Sequence, residues 1–128
     1  MELDAVKYRI KELDEKFGWY QNIDLKNGLQ TKTRTVWGEA IDHPRQRWES
    51  VAPGFPSDFT GKSVLDIGCN AGFFSFVAAD RGCRDIVAID YSAGYIEQAR
   101  FCNDVRGDSI DFRVGYANDL VSLGRSFD

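Results

Sequence analysis

Histidine and long apolar runs are what this sequence most clearly lacks. His43 is the single histidine among 128 residues, which excludes most metal sites and Ser-His-Asp catalytic schemes. No apolar run approaches the roughly 20 residues that span a bilayer, and the charged opening segment has no signal-peptide core. By length and composition we therefore expect one domain of a cytoplasmic protein, without a bound metal or a membrane partner.

Cysteine is also scarce. Cys69, Cys83 and Cys102 are odd in number and too widely spaced for a C-x-x-C metal site, so we interpret them as reduced thiols. Cys69 lies in a glycine-containing loop, where we interpret it as a lining thiol. A nucleophilic role is the alternative, although no histidine lies near it in the sequence.

An excess of positive charge is absent from the chain as a whole. Its 16 basic and 20 acidic residues give a net charge of −4, which argues against a general nucleic-acid binder. Between residues 25 and 47 the balance reverses, and this stretch is either a solvated arm or a surface for an anionic substrate. The charged residues that define it are Lys26, Lys32, Arg34, Glu39, Asp42, Arg45 and Arg47.

The first 60 residues read as a helical and aromatic arm. Apolar residues recur at three- and four-residue steps from Leu3 to Phe17, which predicts a helix that Gly18 ends. An irregular stretch follows, with Asn27-Gly28 as a turn signal. Asp42 is placed to cap a short helix that begins near Pro44 and stops at Pro53-Gly54.

Residues 61–128 change to short β-rich runs that alternate with helical stretches. We predict strands over Ser63–Ile67, Asp85–Asp90 and Ile110–Val114. Helices are predicted from Gly72 to Arg81 and from a cap at Ser92 to about Val105, with a last helical turn from Asn118 to Leu123. This alternation predicts an α/β fold, the first half of a Rossmann-like doubly wound parallel sheet in the strand order 3-2-1.

The turn after the first strand is the expected ligand site of such a fold. Its sequence, "VLDIGCNAGFF", has neither the G-x-G-x-x-G of dinucleotide sites nor the G-x-x-x-x-G-K-[ST] of phosphate-binding loops. What remains is an acid, Asp66, followed by Gly68 and Gly72. Asp66 would repel a pyrophosphate but suits an ammonium or sulfonium group, and Asp90 ends the next strand, where a carboxylate can accept hydrogen bonds from ribose hydroxyls.

These residues resemble the class I methyltransferases that use S-adenosylmethionine. "VLDIGCNAGFFSF" is similar to their first motif, and "VAIDYS" to the motif at the end of their second strand. The resemblance implies that the Gly68 backbone meets the methionine end of the cofactor, that Asp66 supports that end and that Asp90 holds the ribose. The other cofactor-binding residues that these motifs imply are Cys69, Asn70, Gly72 and Tyr91.

Adenine recognition is where the sequence departs from this family. Many members place an acid against the adenine after the third strand, and the matching stretch here is "VGYAND", with Tyr116 at the position of that acid. We expect the Ala117 backbone or Asn118 to take over this role.

The arm carries a narrower likeness. "WYQNIDLKNGLQT", followed by "RQRW", resembles the group of enzymes that methylate or carboxymethylate the wobble uridine of transfer RNA, which also has members with small-molecule substrates. The implied acceptor is a tRNA wobble uridine or a small molecule, and the cofactor is S-adenosylmethionine or a carboxylated derivative. Lys32, Arg34 and Trp37 could meet a carboxylate on such a derivative.

Methyl transfer depends chiefly on alignment of the nucleophile, the methyl carbon and the leaving sulfur. We interpret His43 as a surface or capping residue, so no catalytic base is assigned. The function predicted is that of the amino-terminal portion of a methyltransferase. A non-catalytic cofactor-binding or self-associating module is the alternative.

We expect the chain to hold only the first half of the family's sheet, because it stops where a fourth strand would begin. The outer edge of Ser63–Ile67 would then be unpaired, and exposed strand edges pair with other chains. The sequence therefore predicts a homo-oligomer, a dimer or an exchanged assembly, formed through this strand or the neighbouring helix.

Overall fold

The computed structural model describes residues 1–32 and 43–128. Helix α1 (Leu3–Phe17) is followed by an extended arm and by α2 (His43–Val51), which runs into a short 3-10 turn, Ala52–Gly54. The predicted cap at Asp42 lies outside the described residues. No helix in the described ranges has the length and the apolar character needed to cross a membrane.

Three parallel strands form the sheet, in the spatial order β1-β2-β3. Their bounds are Ser63–Ile67 for β1, Asp85–Asp90 for β2 and Asp111–Val114 for β3. Asp66 lies opposite Ala88, and Asp90 lies opposite Val114. The predicted fold class and strand order are confirmed, and all three strands end at the same edge of the sheet.

Two helices connect the strands, α3 (Phe73–Asp80) and α4 (Ala93–Arg106). Ser92 caps α4 as predicted, because its hydroxyl accepts a hydrogen bond of 3.2 Å from the Tyr95 N–H. A 3-10 helix, Ala117–Leu123, stands where a last helical turn was predicted, and Gly124 ends it.

Several predicted boundaries were wrong by one residue, and two of them have a clear local reason. Helix α3 begins at Phe73 and not at Gly72, because Gly72 has a left-handed φ of +96°. Strand β3 begins at Asp111 and not at Ile110. Both backbone polar groups of Ile110 are bonded to the Asn103 side chain instead of to β2.

The extended arm alternates between buried and exposed side chains, as a strand with one covered face does. At its turn, the Leu29 N–H donates to the Asn27 side chain and Gly28 has a φ of +87°, which confirms the predicted turn. A single bridge pairs Asp24 with Gln30. The buried members of the alternation are Trp19, Gln21, Ile23 and Leu25.

One hydrophobic core runs through both parts of the chain. Val6 and Leu13 of α1 belong to the same buried cluster as Phe76 of α3 and Phe112 of β3. Helix α1 also contacts α4 directly, through a 2.8 Å ion pair between Arg9 and Glu97. The arm is thus packed on the sheet region, while its division from residues 61–128 as a functional unit stays a prediction.

Gly72 is fixed both by its backbone and by its surroundings. A Cβ at this position would lie 2.7 Å from the Phe112 ring and 3.1 Å from the Phe76 ring. We expect Gly72→Ala to lower the free energy of unfolding by about 2–5 kcal/mol, combining the left-handed φ with overpacking. Denaturant unfolding measures this value.

Gly107→Ala is the matched control for that change. Gly107 also has a left-handed φ, +73°, but a Cβ there would meet nothing within 4 Å. We expect it to lose only the conformational part, about 1–2 kcal/mol. Equal losses of unfolding free energy in the two variants would show that the close approach of Phe112 does not contribute to the cost of Gly72→Ala.

In the described residues no strand pairs with the edge of β1 that faces away from β2. In the described residues β1 pairs with β2 alone, apart from hydrogen bonds between Ser63 and Asp128. Beside this edge is an apolar groove of about 550 Å³, lined by Phe55, Leu65 and Phe74 among others. Association through this edge stays a prediction.

Sedimentation at micromolar concentration measures that association. We expect a dimer, and we expect Phe55→Lys to weaken it, because Phe55 is 52% exposed in the groove. Val121→Lys, at an exposed apolar residue outside the groove, should leave the dimer intact. A wild-type chain that sediments as a monomer would contradict the prediction.

A candidate cofactor site at the carboxyl ends of the strands

The predicted site residues lie where the three strands end. Gly68 follows β1 directly, Tyr91 follows β2 and Tyr116 lies two residues beyond β3. Backbone hydrogen bonds of 2.9 Å join neighbouring strand ends. The Gly68 N–H donates to the Ile89 carbonyl of β2, and the Gly115 N–H donates to the Asp90 carbonyl of β2. The fold therefore brings the predicted residues to one edge.

The loop between β1 and α3 uses its own backbone donors internally. Every N–H from residue 68 to residue 73 donates to an acceptor within the protein. The N–H groups of Gly68 and Cys69 share the Ile89 carbonyl, and that of Asn70 donates to the Asp90 carboxylate. The Ala71 N–H donates to the Asn70 side chain, and the Gly72 N–H donates to the Cys69 carbonyl. The Phe73 N–H donates to the Gln21 side chain.

This donor arrangement separates the loop from anion-binding loops. A phosphate-binding loop presents free backbone N–H groups to its ligand. Here these N–H groups are occupied, and the acceptors that remain at the end of β1 include the Asp66 carboxylate and the Gly68 carbonyl. Within the described part of the chain no donor is bonded to the Gly68 carbonyl. The loop suits a cationic group and not a phosphate.

Asp90 is the residue that joins the two loops of the site. Its side chain is 6% exposed, and its two oxygens each accept a hydrogen bond of 2.9 Å, one from the Asn70 N–H and the other from the Ser92 N–H. A carboxylate oxygen has two lone pairs, so each retains acceptor capacity. Asp90 can therefore hold the loops together and still accept hydrogen bonds from a diol.

Asp66 is half-buried and lies close enough to Asp90 for the two charges to repel. Its Oδ2 accepts a hydrogen bond of 2.7 Å from the Ser75 hydroxyl, which fixes the carboxylate at the first turn of α3. Burial raises the pKa of Asp66, and the neighbouring Asp90 charge raises it further, against the opposing effect of the Ser75 bonds. In the described residues neither acid has an ion-pair partner. The site therefore carries uncompensated negative charge.

Cys69 is buried, and its role as a residue that lines the cofactor site stays a prediction. It is 1% exposed, and burial, followed by the charges of Asp66 and Asp90, raises its thiol pKa. A thiol that is held protonated is a poor nucleophile, so the nucleophilic alternative is not supported. The three cysteines are free and buried, in agreement with the predicted reduced thiols.

The end of the site beyond β3 is aromatic and open. The rings of Tyr91 and Tyr116 are stacked, with centroids 6.5 Å apart and planes 17° from parallel. Tyr91 is 70% exposed and Tyr116 is 64% exposed, so the pair presents its surface to solvent. Ala117 and Asn118 follow at the exposed start of the 3-10 helix, where the Tyr116 N–H donates to Asp119.

The described part of the predicted basic stretch is spread over several places in the fold. Lys26 makes a 2.8 Å ion pair with Asp80 at the far end of α3, so its role is structural. The Lys32 ammonium lies 3.3 Å from the Tyr20 carbonyl and 5.8 Å from the centre of the Tyr20 ring. Arg34 and Trp37 lie outside the described residues, and His43 begins α2.

Two side chains of the site escaped the sequence analysis, Gln21 and Ser75. Gln21 lies at an inward position of the arm's alternation, and its Oε1 accepts a hydrogen bond of 3.0 Å from the Phe73 N–H. Ser75 is a polar residue in the apolar first turn of α3. In both cases the available signal was a polar residue at a position that the pattern assigns to the core.

The model of a methyltransferase domain matches residues 64–128, just over half of the chain. The chain belongs to the class I S-adenosylmethionine-dependent methyltransferases. The predicted family is thereby confirmed, and the matched residues include the loop, Asp66, Asp90 and Tyr116.

Curated relatives and solved structures agree with this family. The ubiquinone biosynthesis O-methyltransferase of Azorhizobium caulinodans is 38% identical over 68 residues, which are 53% of this chain and 26% of that protein. The tRNA U34 carboxymethyltransferase of Marinobacter nauticus is 36% identical over 62 residues, 48% of this chain and 16% of that protein. The bifunctional kinase-methyltransferase WbdD matches 88% of this chain and 25% of its own, with 28% identity and a TM-score of 0.61.

The chain thus spans about a quarter of the first of these relatives and a smaller share of the second. The methyltransferase structure that it matches is likewise four times as long as the matched part. What this family membership carries over is the fold and the cofactor class. The acceptor and the complete reaction do not follow from it.

The raised pKa of Asp66 makes a prediction about stability and pH. Since the folded state holds the Asp66 proton more tightly than the unfolded state, stability should fall as pH rises from the ordinary carboxyl pKa through the raised one. We expect Asp66→Asn to remove this loss, with about 1.4 kcal/mol gained at pH 7 for each pH unit by which the pKa is raised. Thermal unfolding between pH 3 and pH 8 measures it.

Asp111→Asn is the control of opposite sign. A hydrogen bond from Arg113 lowers the pKa of this exposed carboxyl, so its charge stabilises the folded state above its ordinary pKa. This variant should be slightly less stable than the wild type at pH 7. A lower melting temperature for Asp66→Asn at pH 7 would contradict the assigned burial cost.

Proposed function

We propose that this chain binds S-adenosylmethionine at the carboxyl ends of β1, β2 and β3 and supplies the cofactor half-site of a methyltransferase. The observation that carries the proposal is the pair Asp66 and Asp90, two half-buried or buried carboxyls without an ion-pair partner among the described residues. A cationic ligand would offset their repulsion. S-Adenosylmethionine carries both a sulfonium and an ammonium group.

The loop geometry supports the same ligand. Its N–H groups are occupied, while the Gly68 carbonyl and Asp66 are acceptors for an ammonium group. Asp90 retains acceptor capacity for the ribose hydroxyls. The resulting order along the sheet edge is methionine end at β1, ribose at β2 and adenine at β3.

Tyr91 and Tyr116 support the adenine end of this arrangement. An exposed aromatic face stacks with a nucleobase, which contributes about 1–3 kcal/mol per base by alanine substitution. Tyr116 stands where many family members have an acid that contacts the adenine. In this chain, stacking of the tyrosine on the base would replace the contact made by that acid. The Ala117 backbone and Asn118 remain the candidates for contact with the polar edge of the base.

For the acceptor we propose a tRNA wobble uridine or a small molecule. The likeness of the arm and the name of the Marinobacter nauticus relative support the first, and the name of the Azorhizobium caulinodans relative supports the second. The non-catalytic alternative gains no support from these methyltransferase relatives. Transfer of a labelled methyl group to tRNA or to small hydroxylated acceptors distinguishes the two acceptors.

A carboxylated cofactor is the less favourable variant of the proposal. Its additional carboxylate would add negative charge to a site that already holds Asp66 and Asp90, so it requires a cation close by. Lys32 is the described candidate, and its ammonium contacts the Tyr20 carbonyl and ring. The uncarboxylated cofactor needs no such partner.

Titration calorimetry with S-adenosylmethionine and S-adenosylhomocysteine tests the proposal. We expect both to bind, and we expect Asp90→Asn to weaken binding by about 10- to 100-fold, because hydrogen bonds to a charged acceptor are lost. Asp111→Asn, which removes an exposed carboxylate of β3, should bind as the wild type does.

Asp90 also holds two loops together, so its variant can lose affinity for a structural reason. Combining Asp90→Asn with a ligand that lacks a ribose hydroxyl, as in a double-mutant cycle, separates the direct role from the structural one. If Asp90 contacts the ribose, a deoxyribose analogue of S-adenosylhomocysteine should bind the wild type weakly and lose little more in Asp90→Asn. Fully additive losses would show that Asp90 acts only through the loops. No binding of either natural ligand by the wild type would overturn the proposed function.

A further inference from the structure

The arm contributes a hydrogen bond to the loop that the proposed function assigns to the cofactor. The Gln21 Oε1 accepts from the Phe73 N–H at 3.0 Å, across 52 positions of sequence. Gln21 is 4% exposed, and Phe73 is 6% exposed. The bond is therefore shielded from water, which could otherwise replace it.

The start of α3 needs an acceptor from elsewhere in the chain. The first N–H groups of a helix have no intrahelical partner, and the residue before the helix usually provides a side-chain oxygen. That residue is Gly72, which has no side chain. Its left-handed φ and the Phe112 ring at 2.7 Å from a built Cβ leave no room for a capping residue. Gln21 instead accepts the first of these N–H groups, that of Phe73.

The backbone of Gln21 is itself held in place by the rest of the arm. Its backbone carbonyl accepts a 3.0 Å hydrogen bond from the Thr31 hydroxyl, which in turn accepts from the Ile23 N–H at 2.9 Å. Thr31 is 5% exposed. This buried set fixes the backbone at Gln21, from which the side chain reaches the Phe73 N–H.

We propose that Gln21 is a positioning residue for the cofactor loop, residues 68–72. By accepting the Phe73 N–H it fixes the end of the loop, and it also occupies one of the helix N-terminal donors that an anionic group would use. The loop then presents acceptors, which match a sulfonium and an ammonium. This inference rests on the proposed function for its ligand, but the loop geometry that it describes does not.

Gln21→Leu removes the acceptor at nearly constant volume, and Gln21→Glu keeps an acceptor oxygen. Gln98→Leu is the matched control, because Gln98 is also a buried glutamine that holds the arm, through a 2.8 Å bond from its Nε2 to the Gly18 carbonyl. It ties the arm to α4 and not to the loop. All four proteins are compared as full chains below their unfolding temperatures.

The first measurement is hydrogen exchange of the Phe73 amide without ligand. We expect Gln21→Leu to exchange this amide at least about 10-fold faster than the wild type relative to amides of β2, and we expect Gln21→Glu and Gln98→Leu to retain its protection. Unchanged protection in Gln21→Leu would overturn the inference whether or not the chain binds the cofactor.

The second measurement is the dissociation constant for S-adenosylhomocysteine. We expect a loss of at least about 10-fold in Gln21→Leu, equivalent to one lost hydrogen bond in a buried site, and less than about 3-fold in Gln21→Glu and Gln98→Leu. Equal losses in Gln21→Leu and Gln98→Leu would show a general effect of arm stability and overturn the positioning role. Failure of the wild type to bind would instead overturn the proposed function and leave the exchange measurement to decide this inference.

Discussion

The constraint on which the site depends is the complete use of the loop's backbone donors. Once the N–H groups from residue 68 to residue 73 are bonded inside the protein, the backbone of the loop can offer a ligand only its carbonyl acceptors. Asp90 is central to this arrangement, because it accepts one of those N–H groups and also joins the loop to the start of α4. The cationic ligand that we propose thus follows from backbone hydrogen bonding as much as from the two acids.

The same arrangement has a cost that the rest of the fold offsets. Two carboxyls lie at one edge of the sheet without a cation beside them in the described residues, and burial makes the charged form of Asp66 unfavourable. The hydrophobic core, which joins α1, the arm and the sheet, stabilises the fold that carries this edge. A site that is under electrostatic strain when empty is relieved by a cation, and this links stability to ligand binding.

Much of this structure followed from the sequence because its signals are local. The strands β1 and β2 and the cap at Ser92 were predicted within a residue, since apolar runs and capping residues act over a few positions. The start of β3 was misplaced because Asn103, seven positions earlier, takes the polar groups of Ile110. Gln21 was missed for a similar reason, since its partner is 52 positions away and nothing local marks a glutamine as a cap.

The separation between Gln21 and Phe73 also bears on how the chain matures. On the ribosome the amino-terminal segment is synthesised first, and contacts between distant residues form late in folding because closing a long stretch of chain is entropically unfavourable. When residues 68–73 emerge, the glutamine that completes them is already outside the exit tunnel. The bend between β1 and α3 can therefore mature during translation as soon as β2 and β3 have been added, whereas a circularly permuted chain that carries the first 32 residues at its end would have to wait for them.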